Sequence, residues 1–173
     1  MGLPPPTADA LSCSSALCLR LAAEIGAAGG WVGFDRFMDL ALYTPGLGYY
    51  TGGTHKFGAA GDFVTAPELG PAFAQTLAAQ AAQLLALSAP RMVEVGAGSG
   101  QLAADLLREL ELRGQLPDSY GILELSGELQ ARQRQTIAAR VPHLLARVHW
   151  LERLPEHFDG LVLANEVLDA MPV

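Results

Sequence analysis

The chain is poor in cysteine, in basic residues and in long apolar runs, and each shortage closes off a class of function. Its 173 residues include only two cysteines, Cys13 and Cys18. Two lone thiols supply neither a disulfide framework nor a zinc site. Five residues apart on a helix they point in different directions, which reads as core filling in a reducing, cytoplasmic protein. Lys and Arg total 11 against 18 Asp and Glu, a net charge of -7. Neutralising a phosphate backbone takes clustered cations, so nucleic acid is not expected as a partner. The one dense basic stretch, QARQRQTIAAR at 130–140, reads as the solvated face of a helix. No stretch approaches 18 uninterrupted apolar residues, so no membrane span is expected. The first 26 residues lack a basic segment followed by an unbroken apolar one, the mark of a secretory signal. Their acids, Asp9 and Glu24, also argue against a mitochondrial presequence. The four histidines (55, 143, 149 and 157) show no metal-ligand spacing, and no metal is expected.

What is present is a globular composition: 50% hydrophobic residues, 17% charged, and 19 glycines. A chain this long buries roughly 70% of its unfolded surface, enough for a core. Residues 7–28 and 34–43 have helical spacing, and 44–70 form a long Gly-, Thr- and aromatic-rich segment that reads as an ordered lid or binding loop. From Pro71 the pattern becomes regular. An alanine-rich helix leads to the strand RMVEV, a leucine-rich helix from 100, the strand YGILEL, a helix over 127–140, the strand ARVHWL and the strand GLVLANE. Alternation of strand and helix, with the first, second and fourth strands apolar throughout, predicts parallel strands covered on both faces. The expected fold is α/β: an N-terminal helical and loop extension (1–70), then the first half of a doubly wound, Rossmann-like parallel sheet (71–173).

Between the first strand and its helix lies VEVGAGSG (93–100). A phosphate-gripping loop would end in Gly-Lys-Ser or Gly-Lys-Thr, whereas this one ends Gly100-Gln101. A dinucleotide fingerprint needs glycine spacings of two and then three; here Gly96, Gly98 and Gly100 are spaced two and two. A nucleophile elbow would need glycines two before and two after Ser99, where Ala97 and Gln101 stand. The remaining pattern, acid-x-Gly-x-Gly-x-Gly, is that of an S-adenosylmethionine site. The backbone of Gly96, Ala97, Gly98 and Gly100 would approach the ligand closely. Glu94 would face the cationic methionyl portion, and the helix N-terminus would help bind its carboxylate. Glu124 ends the second strand, thirty residues after Glu94, where a carboxylate can take two hydrogen bonds from ribose hydroxyls. Glu152, after the third strand, is a weaker candidate near the adenine.

Four stretches, FMDLALYTPGLGYY, KFGAAGDFVTAPELGPAF, VEVGAGSGQLAADLL and LVLANEVLDAMPV, resemble the MidA-type family of class I methyltransferases, relatives of the mitochondrial complex I assembly arginine methyltransferase. The resemblance covers nearly the whole chain. It implies S-adenosylmethionine-dependent methyl transfer to a protein substrate, with arginine as the expected acceptor and a link to respiratory complex assembly. A non-catalytic assembly module keeping the same fold is the alternative. An arginine acceptor needs carboxylates to orient its guanidinium and help remove a proton. Asn165 and Glu166, at the carboxyl end of the fourth strand, and Asp169 beyond them are the candidates. Asp62, Thr65 and Glu68 of GDFVTAPE would close over the cofactor. Members of the resembled family are roughly twice as long, so a fragment is expected, with the later strands missing and the fourth strand left at a sheet edge. A homo-oligomer is compatible with this reading.

Overall fold

The computed structural model describes residues 5–52 and 65–173. They fall into two compact units, Met1–Thr54 with Leu168–Val173, and His55–Val167.

In the first unit, Thr7 caps helix α1 (Ala8–Ala27) by accepting the Ala10 N–H at 3.2 Å. The Asp, Asn, Ser and Thr preference at this position has that origin. Helix α2 (Phe34–Tyr43) is joined to α1 by Arg36, whose guanidinium donates to Glu24 at 2.9 and 3.1 Å and to Asp39 at 2.5 Å. Tyr43 donates its hydroxyl to the Ala170 carbonyl at 2.7 Å. Two expectations change here. No residue of α1 is buried, Cys18 is exposed, and Cys13 is half-buried with its thiol near the Leu47 carbonyl, so the cysteines fill no core. By length and composition α1 is also apolar enough to cross a membrane, with a mean hydropathy of 1.3. Its serines and the charged Asp9, Arg20 and Glu24 break the apolar run without making the segment polar on average.

The second unit is the α/β sheet. Helix α3 (Ala72–Leu85) leads to strand β1 (Arg91–Val95), helix α4 (Gln101–Leu112), strand β2 (Ser119–Leu123), helix α5 (Gly127–Arg140), and strands β3 (Val148–Leu151) and β4 (Leu161–Ala164). All pairings are parallel, in the order β3-β2-β1-β4, with Met92 opposite Tyr120 and Leu161, and Glu94 opposite Ile122 and Leu163. Right-handed crossovers through helices are the usual route between parallel neighbours.

Helix α4 holds the unit together. Leu102, Leu106, Leu107 and Leu110 are all buried, and each contributes roughly 1.5–3 kcal/mol relative to exposure. Helix α3 packs on α4 and buries a side of small residues, Ala74, Ala78 and Ala81, with Leu85. On its other flank α4 meets α5, and Asp105 of α4 fastens the two: this buried carboxylate accepts from Arg140 and Gln101 at 2.7 Å each. The arginines of α5 are therefore not merely a solvated face, since Arg140 closes this pair and Arg134 lies 3.9 Å over the Trp150 ring. Strand β4 stands at one end of the sheet order, the edge position expected of it, but it is not covered on both faces: its burial alternates, with Val162 54% exposed.

Candidate functional site

The site lies at the carboxyl ends of β1, β2 and β4, the edge where open α/β sheets bind ligands. Leaving β1, the chain passes through Gly96, Gly98 and Gly100 with φ of 66°, 53° and 81°. All three are in the left-handed region that side chains disfavour. The Gly96 N–H donates to the Leu123 carbonyl at 3.0 Å, tying the loop to the end of β2. A Cβ at Gly96 would come within 3.1 Å of Val167 Cγ2. A Cβ at Gly100 would come within 2.9 Å of Gln133 Cα, so this glycine lets α5 approach the loop. Ala97 turns its side chain into the hydrophobic core and leaves only backbone to a ligand. The N-cap Gly100 has no side chain to cap α4, and Ser99 Oγ takes the Gln101 N–H, which leaves the next amides of the first turn to an anion.

The acids suggested by the sequence divide into different roles. Glu94 is buried, and its Oε2 accepts the Tyr120 hydroxyl at 2.8 Å. Burial pushes this carboxyl up to about 7, and the Tyr120 hydrogen bond partly opposes the shift. Direct contact with a methionyl group, expected from the spacing, does not fit a carboxylate enclosed beneath the loop and already partnered. Glu124 is only partly buried. Its Oε1 accepts the Ser126 N–H at 2.9 Å and its Oε2 accepts Gln133 Nε2 at 3.1 Å. A carboxylate held this way keeps lone pairs for two hydroxyl donors. Burial raises its pKa, and the hydrogen bonds from Ser126, Gln133 and Leu125 counter that.

Glu68 sits in a single turn of 3-10 helix, Ala66–Leu69, where Thr65 is the residue before the first turn. Its carboxylate accepts a short hydrogen bond from the Ser99 hydroxyl, and Ser99 Oγ accepts from the Gln101 N–H at 3.3 Å. Glu68 is thereby attached to the glycine loop itself. Asp62 lies outside the described residues. Glu152 is exposed in the bend after β3, one strand beyond Glu124. Asn165 and Glu166 follow β4 directly, and Glu166 has φ 52°, the one positive value among the described non-glycine residues. Asp169 belongs to the other unit, in the turn Leu168–Ala170, and is exposed.

Four partners were not singled out from the sequence: Tyr120, Ser126, Gln133 and, as a loop anchor, Ser99. Ser126 carries a readable signal, a serine one residue before a helical run, and it caps α5 by accepting the Leu129 N–H at 3.3 Å. The others have none. A separate cavity, lined by Arg91, Ser119, His149, Arg153 and Phe158 among others, includes the first residues of β1 and β2 and none of the site residues above.

Set beside this geometry, known proteins agree on the cofactor. A family model, Methyltransf_28, described as "Putative S-adenosyl-L-methionine-dependent methyltransferase", matches residues 69–173. A COG1565 superfamily member from Burkholderia thailandensis, crystallised with S-adenosyl-homocysteine, is 56% identical with a TM-score of 0.94, over 99% of this chain and 46% of that one. The protein arginine methyltransferase NDUFAF7 of Danio rerio is 31% identical over 94% of this chain and 45% of its own length. Its Drosophila melanogaster homologue is 30% identical over 98% and 44%. The chain thus spans about half the length of the curated relatives it matches. Both are mitochondrial by name, which overturns the cytoplasmic location expected from the cysteines. Unpaired thiols fit any reducing compartment and cannot tell one from another. The resemblance to MidA-type proteins and the partial Rossmann-like methyltransferase sheet both stand. The chain belongs to the Methyltransf_28 family, whose cofactor, S-adenosyl-L-methionine, is the one selected by the two-and-two glycine spacing.

Proposed function

We propose that this chain binds S-adenosyl-L-methionine as the cofactor half of a protein methyltransferase whose acceptor is arginine. The observation that carries the reading is Glu124, fixed by Ser126 and Gln133 at the end of β2 beside a loop of three left-handed glycines. Those residues suit the ligand. The glycine backbone and the α4 amides beyond Gln101 would take its amino-acid portion, and Glu124 would take the ribose hydroxyls. When bound, the cofactor supplies an electrophilic methyl group on a sulfonium. The protein's part is alignment and exclusion of water.

Arginine as acceptor is supported by the names of the curated relatives and by carboxylate chemistry at the end of β4. Glu166 stands there in a backbone conformation that costs on the order of 1–3 kcal/mol in a non-glycine residue. Such strain is found where surrounding structure holds a side chain for use. Glu166 would orient a guanidinium through paired hydrogen bonds and draw off its proton, with Asn165 beside it. Thr65, Glu68 and Glu152 would border the cofactor. A link to respiratory complex assembly is the biological setting that the sequence resemblance supports.

Titration calorimetry of the chain with S-adenosyl-homocysteine and, separately, with a nicotinamide dinucleotide tests the cofactor. Binding of the first and not the second is expected, and the reverse preference sinks the proposal. Transfer of a radiolabelled methyl group to arginine-containing protein, with recovery of methylarginine after hydrolysis, tests the acceptor.

A further inference from the structure

Helix α5 carries a fully buried glutamine whose amide is used on both sides. Gln133 Nε2 donates to the Gly98 carbonyl at 3.1 Å and to Glu124 Oε2 at 3.1 Å, while its Oε1 accepts the Trp150 indole N–H at 2.9 Å. The amide orientation follows from the partners. A carbonyl and a carboxylate accept, and an indole N–H only donates, so the flipped amide would lose all three bonds. The side chain thus spans the glycine loop, the end of β2 and strand β3. Gly100 lets it in: with any side chain there, the backbone of Gln133 could not lie so near the loop.

This arrangement does more than satisfy a buried amide. An unaided Glu124 would hold only the hydrogen bonds of its own turn, and its side chain would be free to rotate away from the loop. Gln133 removes that freedom by fastening the carboxylate and the loop carbonyl to one planar group. Gln133 is fully buried, so any effect on a ligand passes through the groups it holds, Glu124 and the Gly98 carbonyl.

We infer that Gln133 is a positioning residue for the cofactor's ribose, setting the distance between Glu124 and the glycine loop, with Trp150 fixing the glutamine in turn. This rests on the cofactor reading above and adds a specificity element to it. Arg134, stacked on Trp150, holds the outer end of the same chain of contacts.

The test compares S-adenosyl-homocysteine with its 2'-deoxyribose analogue by calorimetry on the wild-type chain, Gln133→Met, Glu124→Ala and the double variant. Trp150→Phe is a milder variant that keeps the glutamine, and circular dichroism checks that each folds. Gln133→Met is expected to weaken S-adenosyl-homocysteine about tenfold and the deoxy analogue by less than threefold. The double variant is expected to bind no more weakly than Glu124→Ala alone. Trp150→Phe should show the same selectivity at smaller size. Equal losses for both ligands, or no loss, overturn the inference and leave the cofactor reading intact. Failure of the wild-type chain to bind S-adenosyl-homocysteine overturns both.

Discussion

Tyr120 on β2 and Glu94 on β1 form a buried hydroxyl–carboxyl pair beneath the glycine loop, 2.8 Å apart. The carboxyl titrates near 7 instead of its ordinary 4.5 because burial disfavours its charge. Between those two values the folded protein binds more protons than the unfolded chain, so this group lowers stability as pH rises from about 4.5 to about 7. Urea unfolding followed across that window should show wild-type stability falling relative to Glu94→Gln, which cannot ionise. The two curves should run parallel above pH 8. A constant difference between them from pH 4 to 8 would contradict the assignment.

Tyr120→Phe removes the donor and leaves the carboxylate in an apolar setting. Leaving a buried acceptor unsatisfied costs roughly 1–3 kcal/mol, more when it is charged. The loss should therefore be larger at pH 8 than at pH 5, measured by the same unfolding experiment.

Gly100→Ala combines two penalties. The residue has φ 81°, and the new methyl would meet Gln133 backbone at 2.9 Å. Left-handed backbone and overpacking together should cost about 2–4 kcal/mol. Gly96→Ala meets only a Val167 methyl at 3.1 Å and should cost less. Thermal melts of the two variants would rank them, and a reversed order would show that the loop relaxes around α5.

Glu124→Ala should weaken S-adenosyl-homocysteine by roughly 10- to 100-fold, the value of charge-assisted hydrogen bonds to hydroxyls. Calorimetry reads it directly. Glu152→Ala, exposed and one strand further out, should change affinity by less than about threefold if its contact with the adenine is peripheral.

Glu166→Asn separates backbone from side chain. Asparagine tolerates the left-handed region better than glutamate, so stability should hold or rise slightly, within about 1 kcal/mol. Methyl transfer to arginine should fall at least about tenfold if the carboxylate removes a proton. Full activity in the variant would assign that carboxylate no part in the reaction.

The sheet and the glycine loop were legible because they rest on periodicity and on spacings that backbone geometry imposes. RMVEV and YGILEL read as buried strands, and the three glycines occupy left-handed positions that other residues avoid. The place of Glu124, one residue past β2, was legible for the same reason, since strand length fixes where the chain emerges. Gln133 was not. It stands among arginines and glutamines on a polar helix, and only the three-dimensional approach of α5 to Gly100 makes it the buried member of that run. Glu94 misled in the opposite way: a strand acid near a cofactor loop suggests a ligand contact, but strand alternation points it to the side where Tyr120 waits. The cysteines of α1 misled through composition, because a helix can be apolar without being buried.

Trp150 gives the site an optical reporter of its own. Its indole N–H is committed to Gln133 and its ring lies against a guanidinium, so its emission senses the carbonyl and carboxylate that share the glutamine. The other tryptophan, Trp31, belongs to the first unit and is 72% exposed, and its contribution can be removed by Trp31→Phe. Occupation of the loop would then be visible as a change in unlabelled fluorescence, even with a ligand that carries no transferable group.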